Sequence, residues 1–505
     1  MKRMQFRLVA LLLMGALLLG SMPGAMAAEA VQVDVDFYIP SMYANEIEEA
    51  ALTEVWEDYT PRDMLADPQA LTHAEAAELM RTALVNRDDY FQVIVDSGGY
   101  DKTTARQVYN LAIAHTGEPN EGDYIVYNGC HWSGATWSKY VNGKVCTVCE
   151  YTLYYYTTPE QEAEVDAAVD ALLEELDLWE ASDYEKLCGI YSYICKNIVY
   201  DYTSSGTQKY TAYAALINKT SVCQGYATLL YRLALELGLD IRFISGIGNG
   251  GGHGWNIVKL GSLYYNVDAT WDAIWYQAIG QYGFFLQCTE NFEDHARDAA
   301  FDTAEFHAAY PMSPVDYADM ADCGSCGEGC YWTVTKDNRL IITGTGAMAD
   351  YSAADAPWSA YAGKITALEI EEGITAIGSN AFAGCTAMTQ AELPESLTAV
   401  GAAAFRDCQA LQTVHYAGTA ENWEAAALSG DNKPLYRCMA AYMRGDYDFD
   451  ALVTNEDVVY LLWHSMYASE YPVQSDADFT ADGQVTHEDV VYLLWHTLFP
   501  QVYPI

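Results

Sequence analysis

Three short stretches decide the reading of this chain: SVCQGYA at 221–227, GGGHGWN at 250–256 and NVDATWD at 266–272. They set out a cysteine, a histidine and an aspartate in that order: Cys223, His253 and Asp268. Cys223 precedes GYATLLYRLALELG, where Leu229, Leu230, Leu233 and Leu237 recur at helical spacing before Gly238 stops the run. With Ser221 or Thr220 as the cap, Cys223 falls in the first turn, where free amides and the helix dipole favour a thiolate. IRFISGI then predicts a strand, and GNGGG a flexible loop that delivers His253 onto a second strand, WNIVKL. After a tight turn at Gly261-Ser262, LYYNVDATW predicts a third strand, carrying Asp268. A thiol at a helix start, facing imidazole and carboxylate on adjacent strands, is the arrangement of nucleophile, base and orienting acid.

At CQGYA, HGWN and DATWD the sequence resembles the core of the transglutaminase-like superfamily, which has its cysteine, histidine and aspartate in this order. YSYICKNIVYDY and KYTAYAALINKTSVCQGYA upstream are similar to the secreted bacterial branch, so the resemblance runs from about Ser182 to Pro311. It implies a papain-like core with Cys223 as nucleophile, His253 as general base and Asp268 as the residue that orients it. Trp255, Trp271 and Trp275, with Tyr264 and Tyr265, either line an aromatic cleft or fill the core beneath the sheet.

The chain has 505 residues, 51% of them hydrophobic, enough for several cores. Lys2, Arg3 and Arg7, the run LVALLLMGALLLG and AMAA match a secretory signal, and no later apolar stretch is long enough to span a bilayer. Removing the signal takes away three basic residues and no acidic ones, moving the formal charge from -45 to -48. Such acidity argues against nucleic acid as a partner and suits a calcium-rich exterior. Of 13 cysteines, 12 remain beside Cys223, an even number where disulfides are allowed. Zinc is the alternative at Cys146 and Cys149, or at Cys323, Cys326 and Cys330, though no fourth ligand is clear.

THAEAAELMRTALVN predicts an amphipathic helix, and YIVYNG and CEYTLYYYTT read as extended runs of an N-terminal α/β module with no assignable chemistry. PEQEAEVDAAVDALLEEL predicts a helix with Val165, Val169, Leu172, Leu173 and Leu176 inside. Ser182 and Glu185 form a capping box for the next helix. Further on, YWTVTKDNRLIITGTGAM reads as a hairpin. ITALEIEEGITAIGSNAFAGC and MTQAELPESLTAVGAAAFRDC then align Gly378 with Gly401, Phe382 with Phe405 and Cys385 with Cys408, a 23-residue period that indicates a stacked solenoid. These repeats resemble the surface-antigen type of leucine-rich repeat.

A second duplication, VTNEDVVYLLWHSM at 453 and VTHEDVVYLLWHTL at 485, follows two acidic loops. Calcium takes six or more hard oxygens from positions 1, 3, 5, 7, 9 and 12 of such a loop. Here these are Asp446, Asp448, Asp450, the Leu452 carbonyl, Thr454 and Asp457, then Asp478, Thr480, Asp482, the Gln484 carbonyl, Thr486 and Asp489. Two loop-helix units look like a type I dockerin, which implies two Ca2+ ions as cofactors and a cohesin domain of a scaffolding protein as partner. Asn455, Glu456, His487 and Glu488 occupy the positions that the resemblance turns towards the cohesin.

The expected whole is a multidomain α+β protein with a transglutaminase-like (papain-like) core, a short leucine-rich-repeat β solenoid and an α-helical calcium-binding dockerin. Expected boundaries are a signal peptide at 1–28, an N-terminal α/β module at 29–158, the catalytic domain at 159–315, hairpin plus repeats at 323–437, and the dockerin at 441–505. The expected function is that of a secreted thiol enzyme acting on peptide or glutamine amides, hydrolysis favoured over cross-linking, tethered to a cell-surface or cellulosome-like assembly. The alternative is a non-catalytic adhesion or scaffold component of a polysaccharide-degrading assembly. No paired carboxylates support a glycosidase.

Overall fold

The computed structural model describes residues 34–38, 69–352, 355–429, 431–439, 444–447, 453–471, 473 and 477–505. The signal peptide reading at 1–28 lies outside them. The chain divides into two compact units, one made of the described residues up to Asn256 with Asp268–Gly283, the other of Ile257–Val267 with the described residues from Phe284 onward.

The first unit begins with a four-stranded antiparallel sheet in the order Asp34–Tyr38, His131–Val141, Lys144–Tyr154, Tyr90–Val95. The helix His73–Val85 starts at a Thr72/Glu75 capping box and, with Thr104–Ala112, buries Met80, Leu84 and Val108 against Trp132 and Tyr151 of the sheet. CEYTLYYYTT is largely strand, as the pattern predicts, but YIVYNG is not extended. Asp123–Tyr127 is a short helix. Its Asp123 carboxylate accepts from the Phe243 amide at 3.0 Å and from Arg242 Nε at 2.7 Å, so a buried ion pair overrides the β preference of the tyrosines.

Pro159–Leu176 and Asp183–Asn197 are helices as patterned, and the Ser182/Glu185 capping box is formed. The next long helix, Cys223–Glu236, is buried from Cys223 through Leu235 on every side. The strands Ile241–Gly248, Gly251–Leu260 and Leu263–Val267 are successive neighbours in a five-stranded sheet.

In the second unit, Met320–Gly327 and Cys330–Thr335 form an antiparallel hairpin, and Cys330–Thr335 pairs likewise with Arg339–Gly344. From there the strands run parallel: Arg339–Gly344, Ala367–Ile370, Gln390–Leu393 and Thr413–Tyr416, with Ala367 opposite Gln390 and Gln390 opposite Thr413. A second parallel sheet stacks Ile374–Ile377, Ala399–Val400 and Ala427–Leu428. The 23-residue register is the sequence period made physical. Phe382 and Phe405 lie 5.2 Å apart between the sheets, and Cys385 and Cys408 are buried with them.

Two further helices, Asn455–Met466 and His487–Leu498, each begin at a capping box, Thr454/Asp457 and Thr486/Asp489. Val458, Leu461, Val490 and Leu493 form their shared core. Among the described residues no helix is long and apolar enough to cross a membrane.

Candidate active site

Cys223 is the first residue of its helix and is 8% exposed. The N-cap is Val222, not Ser221 or Thr220, and no side chain caps this end. Thr220 and Ser221 instead form a short strand beside Val199–Tyr200, and the Ser221 hydroxyl donates to the Lys209 carbonyl at 2.6 Å. As the first residue of the helix, Cys223 has an amide with no intrahelical acceptor, placed to serve an oxyanion. Gly225 permits the close fit: a Cβ there would lie 2.6 Å from the Thr211 carbonyl oxygen. Gln224 Nε2 donates to the Tyr127 carbonyl at 2.5 Å, tying the helix start to the last residue of the short helix Asp123–Tyr127.

GNGGG is not a flexible loop. Only Asn249 and Gly250 turn, both at positive φ, and Gly251 already belongs to the strand that carries His253. Asn-Gly at both left-handed positions is the tight hairpin turn whose twist matches its strands. Across the hairpin, Gly248 lies so close that a Cβ on it would meet the His253 ring at 2.8 Å.

Asp268 is not on a strand but just past one, as the N-cap of Ala269–Ile279. Its Oδ1 accepts from the Thr270 amide at 2.9 Å and the Trp271 amide at 3.3 Å, while Oδ2 meets His253 Nε2 at 2.8 Å. The cap holds the carboxylate still, and the carboxylate holds the imidazole. With Nε2 taken, Nδ1 is the nitrogen left for the thiol, and the Cys223 thiol is hydrogen bonded to the ring. Burial opposes charge on His253, but Asp268 and then Cys223 outweigh it and raise the imidazole to about 10. The structure thus brings all three sequence-derived residues together.

Of the aromatics, Trp255, Tyr264 and Tyr265 are buried, Trp275 is exposed, and Trp271 stacks on His253 at 5.1 Å between centroids. Tyr200 escaped the sequence reading. Its strand pairs Tyr200 with Ser221, two residues before the nucleophile; burial, then Cys223, Tyr202 and Asp268 push the phenol up to about 12. Asp272, quoted in the motif but given no role, is buried and accepts from Tyr191 Oη at 2.6 Å.

Among the described residues no cysteine belongs to a cluster that could hold a metal ion, and all 13 cysteines are free thiols. Cys146 packs with Trp137 and Val148, whereas Cys149 packs with Trp132 and Tyr151 on the opposite face of the same strand. Cys326 and Cys330 are buried in the solenoid core, while Cys323 stays outside that cluster.

In the C-terminal loops, Asp448, Asp450 and Leu452 lie outside the described residues. Asp446, Asp457 and Asp489 are buried carboxylates. In the second loop Asp478 accepts from the Asp482 and Gly483 amides at 3.1 and 2.7 Å, and Asp482 from the Gln484 amide at 2.9 Å. Asp489 accepts from the Thr480 and Thr486 amides; although burial works against its charge, these bonds hold its carboxyl below the usual range. An all-oxygen donor set on a loop closed by its own amides fits a hard cation such as calcium. Asn455, Glu456, His487 and Glu488 are all exposed at the two helix starts.

Residues 170–269, which include Cys223, His253 and Asp268, match the model of the transglutaminase-like superfamily. The chain carries a transglutaminase-like domain. Residues 359–433 match the BspA type leucine rich repeat region (6 copies), so repeats of that type accompany the transglutaminase-like domain. Similar solved structures include a leucine-rich repeat protein from Eubacterium ventriosum at 30% identity and TM-score 0.19, covering 21% of this chain and 27% of that one. A TGase matches at 17% identity and TM-score 0.21, covering 35% and 50%. A protein from Cytophaga hutchinsonii, provisionally described as a cysteine protease, matches at 16% identity and TM-score 0.16, covering 26% and 60%. The chain thus spans between 27% and 60% of the length of these proteins. No curated protein matches it.

Proposed function

We propose that the transglutaminase-like domain is a thiol acyl-transfer enzyme acting on peptide or glutamine amides, with water as the usual acceptor. The observation that carries this reading is the 2.8 Å bond from His253 Nε2 to a helix-capping Asp268, with Cys223 at a helix start as a further hydrogen-bond partner of the imidazole. The thiolate attacks the amide carbonyl, and the Cys223 amide receives the oxyanion. The imidazolium gives its proton to the leaving amine as the C–N bond breaks, leaving a thioester. Water then attacks as His253 takes its proton, and collapse releases the acid and restores the thiol.

The same reading makes the protein secreted and the C-terminal module a dockerin. Asp446, Thr454 and Asp457, with Asp448, Asp450 and the Leu452 carbonyl, would hold one calcium; Asp478, Thr480, Asp482, the Gln484 carbonyl, Thr486 and Asp489 would hold the other. Asn455, Glu456, His487 and Glu488 would meet the cohesin.

Digestion of a denatured protein mixture in oxygen-18 water with a dansylated primary amine present tests the chemistry. The expected products carry heavy oxygen at new carboxyls, and Cys223→Ala yields none. Dominant amine adducts would make the enzyme a cross-linker; neither product would favour a scaffold.

A further inference from the structure

Between Lys186 and Lys259 the chain has seven basic residues and only three acidic ones, Asp201, Glu236 and Asp240, a formal +4 inside a chain of -45. Three of the seven are spent on structure: Lys186 pairs with Asp183, Arg232 with Asp166 and Glu236, and Arg242 with Asp123. Lys196, Lys209 and Lys219 pair with no described carboxylate. Lys196 and Lys209 rest their ammonium groups over tyrosine rings, Tyr276 at 5.5 Å and Tyr210 at 5.0 Å, whereas Lys219 donates to the Tyr193 hydroxyl. A ring face holds a cation in place without neutralising it. With 70 acidic residues in the chain, three lysines in one stretch without a described carboxylate partner stand out against its overall charge.

All three are fastened to the segments that present the triad. The Lys209 carbonyl accepts from the Val222 amide at 3.2 Å, immediately before Cys223. The Lys219 carbonyl accepts from the Val199 amide at 2.9 Å, and Lys196 lies in the last turn of the helix leading into that strand. Tyr276 lies on the helix that Asp268 caps. On the same strand and just past it, Val199 and Tyr202 are 56% and 76% exposed.

We infer that this face is the substrate-docking surface and that its occupant is an acidic polypeptide segment, with apolar side chains on Val199 and Tyr202 and carboxylates on Lys196, Lys209 and Lys219. A polypeptide is favoured over other polyanions because the adjacent chemistry is amide acyl transfer. The inference therefore rests on the proposed function.

Binding separates the two. Full-length Cys223→Ala is titrated into a fluorescent peptide of alternating Glu and Leu, and into its Gln and Lys counterparts, at about 20 and about 300 mM salt. The Glu peptide is expected to bind best, to weaken about tenfold or more at high salt, and to weaken about tenfold in the triple Lys→Gln variant of 196, 209 and 219. The triple Lys→Arg variant keeps the charge and is expected to bind as the parent does, and both triple variants should melt with it. Equal binding of the Gln peptide, no effect of Lys→Gln, or tighter binding of polygalacturonate or a DNA oligomer would overturn the inference. Loss of acidic-peptide preference beside normal alkylation of the wild-type Cys223 sinks only the docking surface. Retained preference with an inert Cys223 sinks only the enzyme.

Discussion

At the scale of single residues, Asp268 has two duties that one substitution can separate. Asp268→Asn keeps an oxygen for the Thr270 and Trp271 amides but loses the charge facing His253. Turnover should fall by about 10^3- to 10^4-fold, and below about pH 6.5 the melting temperature should fall with the loss of the ion pair. Asp268→Ala loses the cap as well, and should cost about 1 kcal/mol of stability in addition. Equal stability of the two variants would contradict the capping role. His253 supplies a pH test. Its folded pKa, about 10, stands above the ordinary value of 6.5, so its ion pair stabilises fully below about pH 6.5 and the contribution is lost as pH rises towards 10. The melting difference between wild type and His253→Gln should therefore shrink across that interval; a difference that grows would reverse the sign.

At the scale of elements, much was legible where the signal is local. The Ser182/Glu185 box, the apolar faces of the two helices before the core and the 23-residue register all follow from short-range chemistry. The order of Cys223, His253 and Asp268 could also be read from their flanks, though the elements bearing them were partly misplaced. Asn249-Gly250 is a hairpin turn hidden in a run of glycines, and Asp268 is an N-cap whose Asp-Ala-Thr context could have announced it. What could not be read is long-range: Asp123–Tyr127 is helical because Arg242 and Phe243, more than a hundred residues later, bind Asp123. The start of the nucleophile helix is likewise set by distant contacts. Gly to Ala within a helix ordinarily adds about 1 kcal/mol of stability. Gly225→Ala should instead destabilise by about 1–3 kcal/mol and cut Cys223 reactivity, because its Cβ would press on the Thr211 carbonyl 2.6 Å away. A stabilised, fully reactive variant would show that the helix start has room to give.

At the scale of the whole molecule, the parts differ in what should hold them. The solenoid is closed by stacked apolar rungs and parallel hydrogen bonds, and needs no ion. The small core between Asn455–Met466 and His487–Leu498 adjoins buried carboxylates at Asp446, Asp457 and Asp489, and in the proposed reading calcium draws each loop together. At a calcium concentration of about 100 Kd this module should gain about 2.7 kcal/mol. A chelator should then make its helices susceptible to limited proteolysis while leaving alkylation of Cys223 unchanged. Proteolysis indifferent to the chelator would contradict the calcium reading.

Everything proposed for the catalytic domain depends on the pairing of Cys223 with His253, and iodoacetamide labelling across pH, located by mass spectrometry, reads that pairing out. Wild type, Cys223→Ala and His253→Ala are compared at equal protein concentration. Rapid labelling at Cys223 below pH 7 is expected, lost when His253 is removed, while the twelve other thiols stay slow. Labelling of Cys223 no faster than of an ordinary thiol, or unchanged without His253, would contradict it.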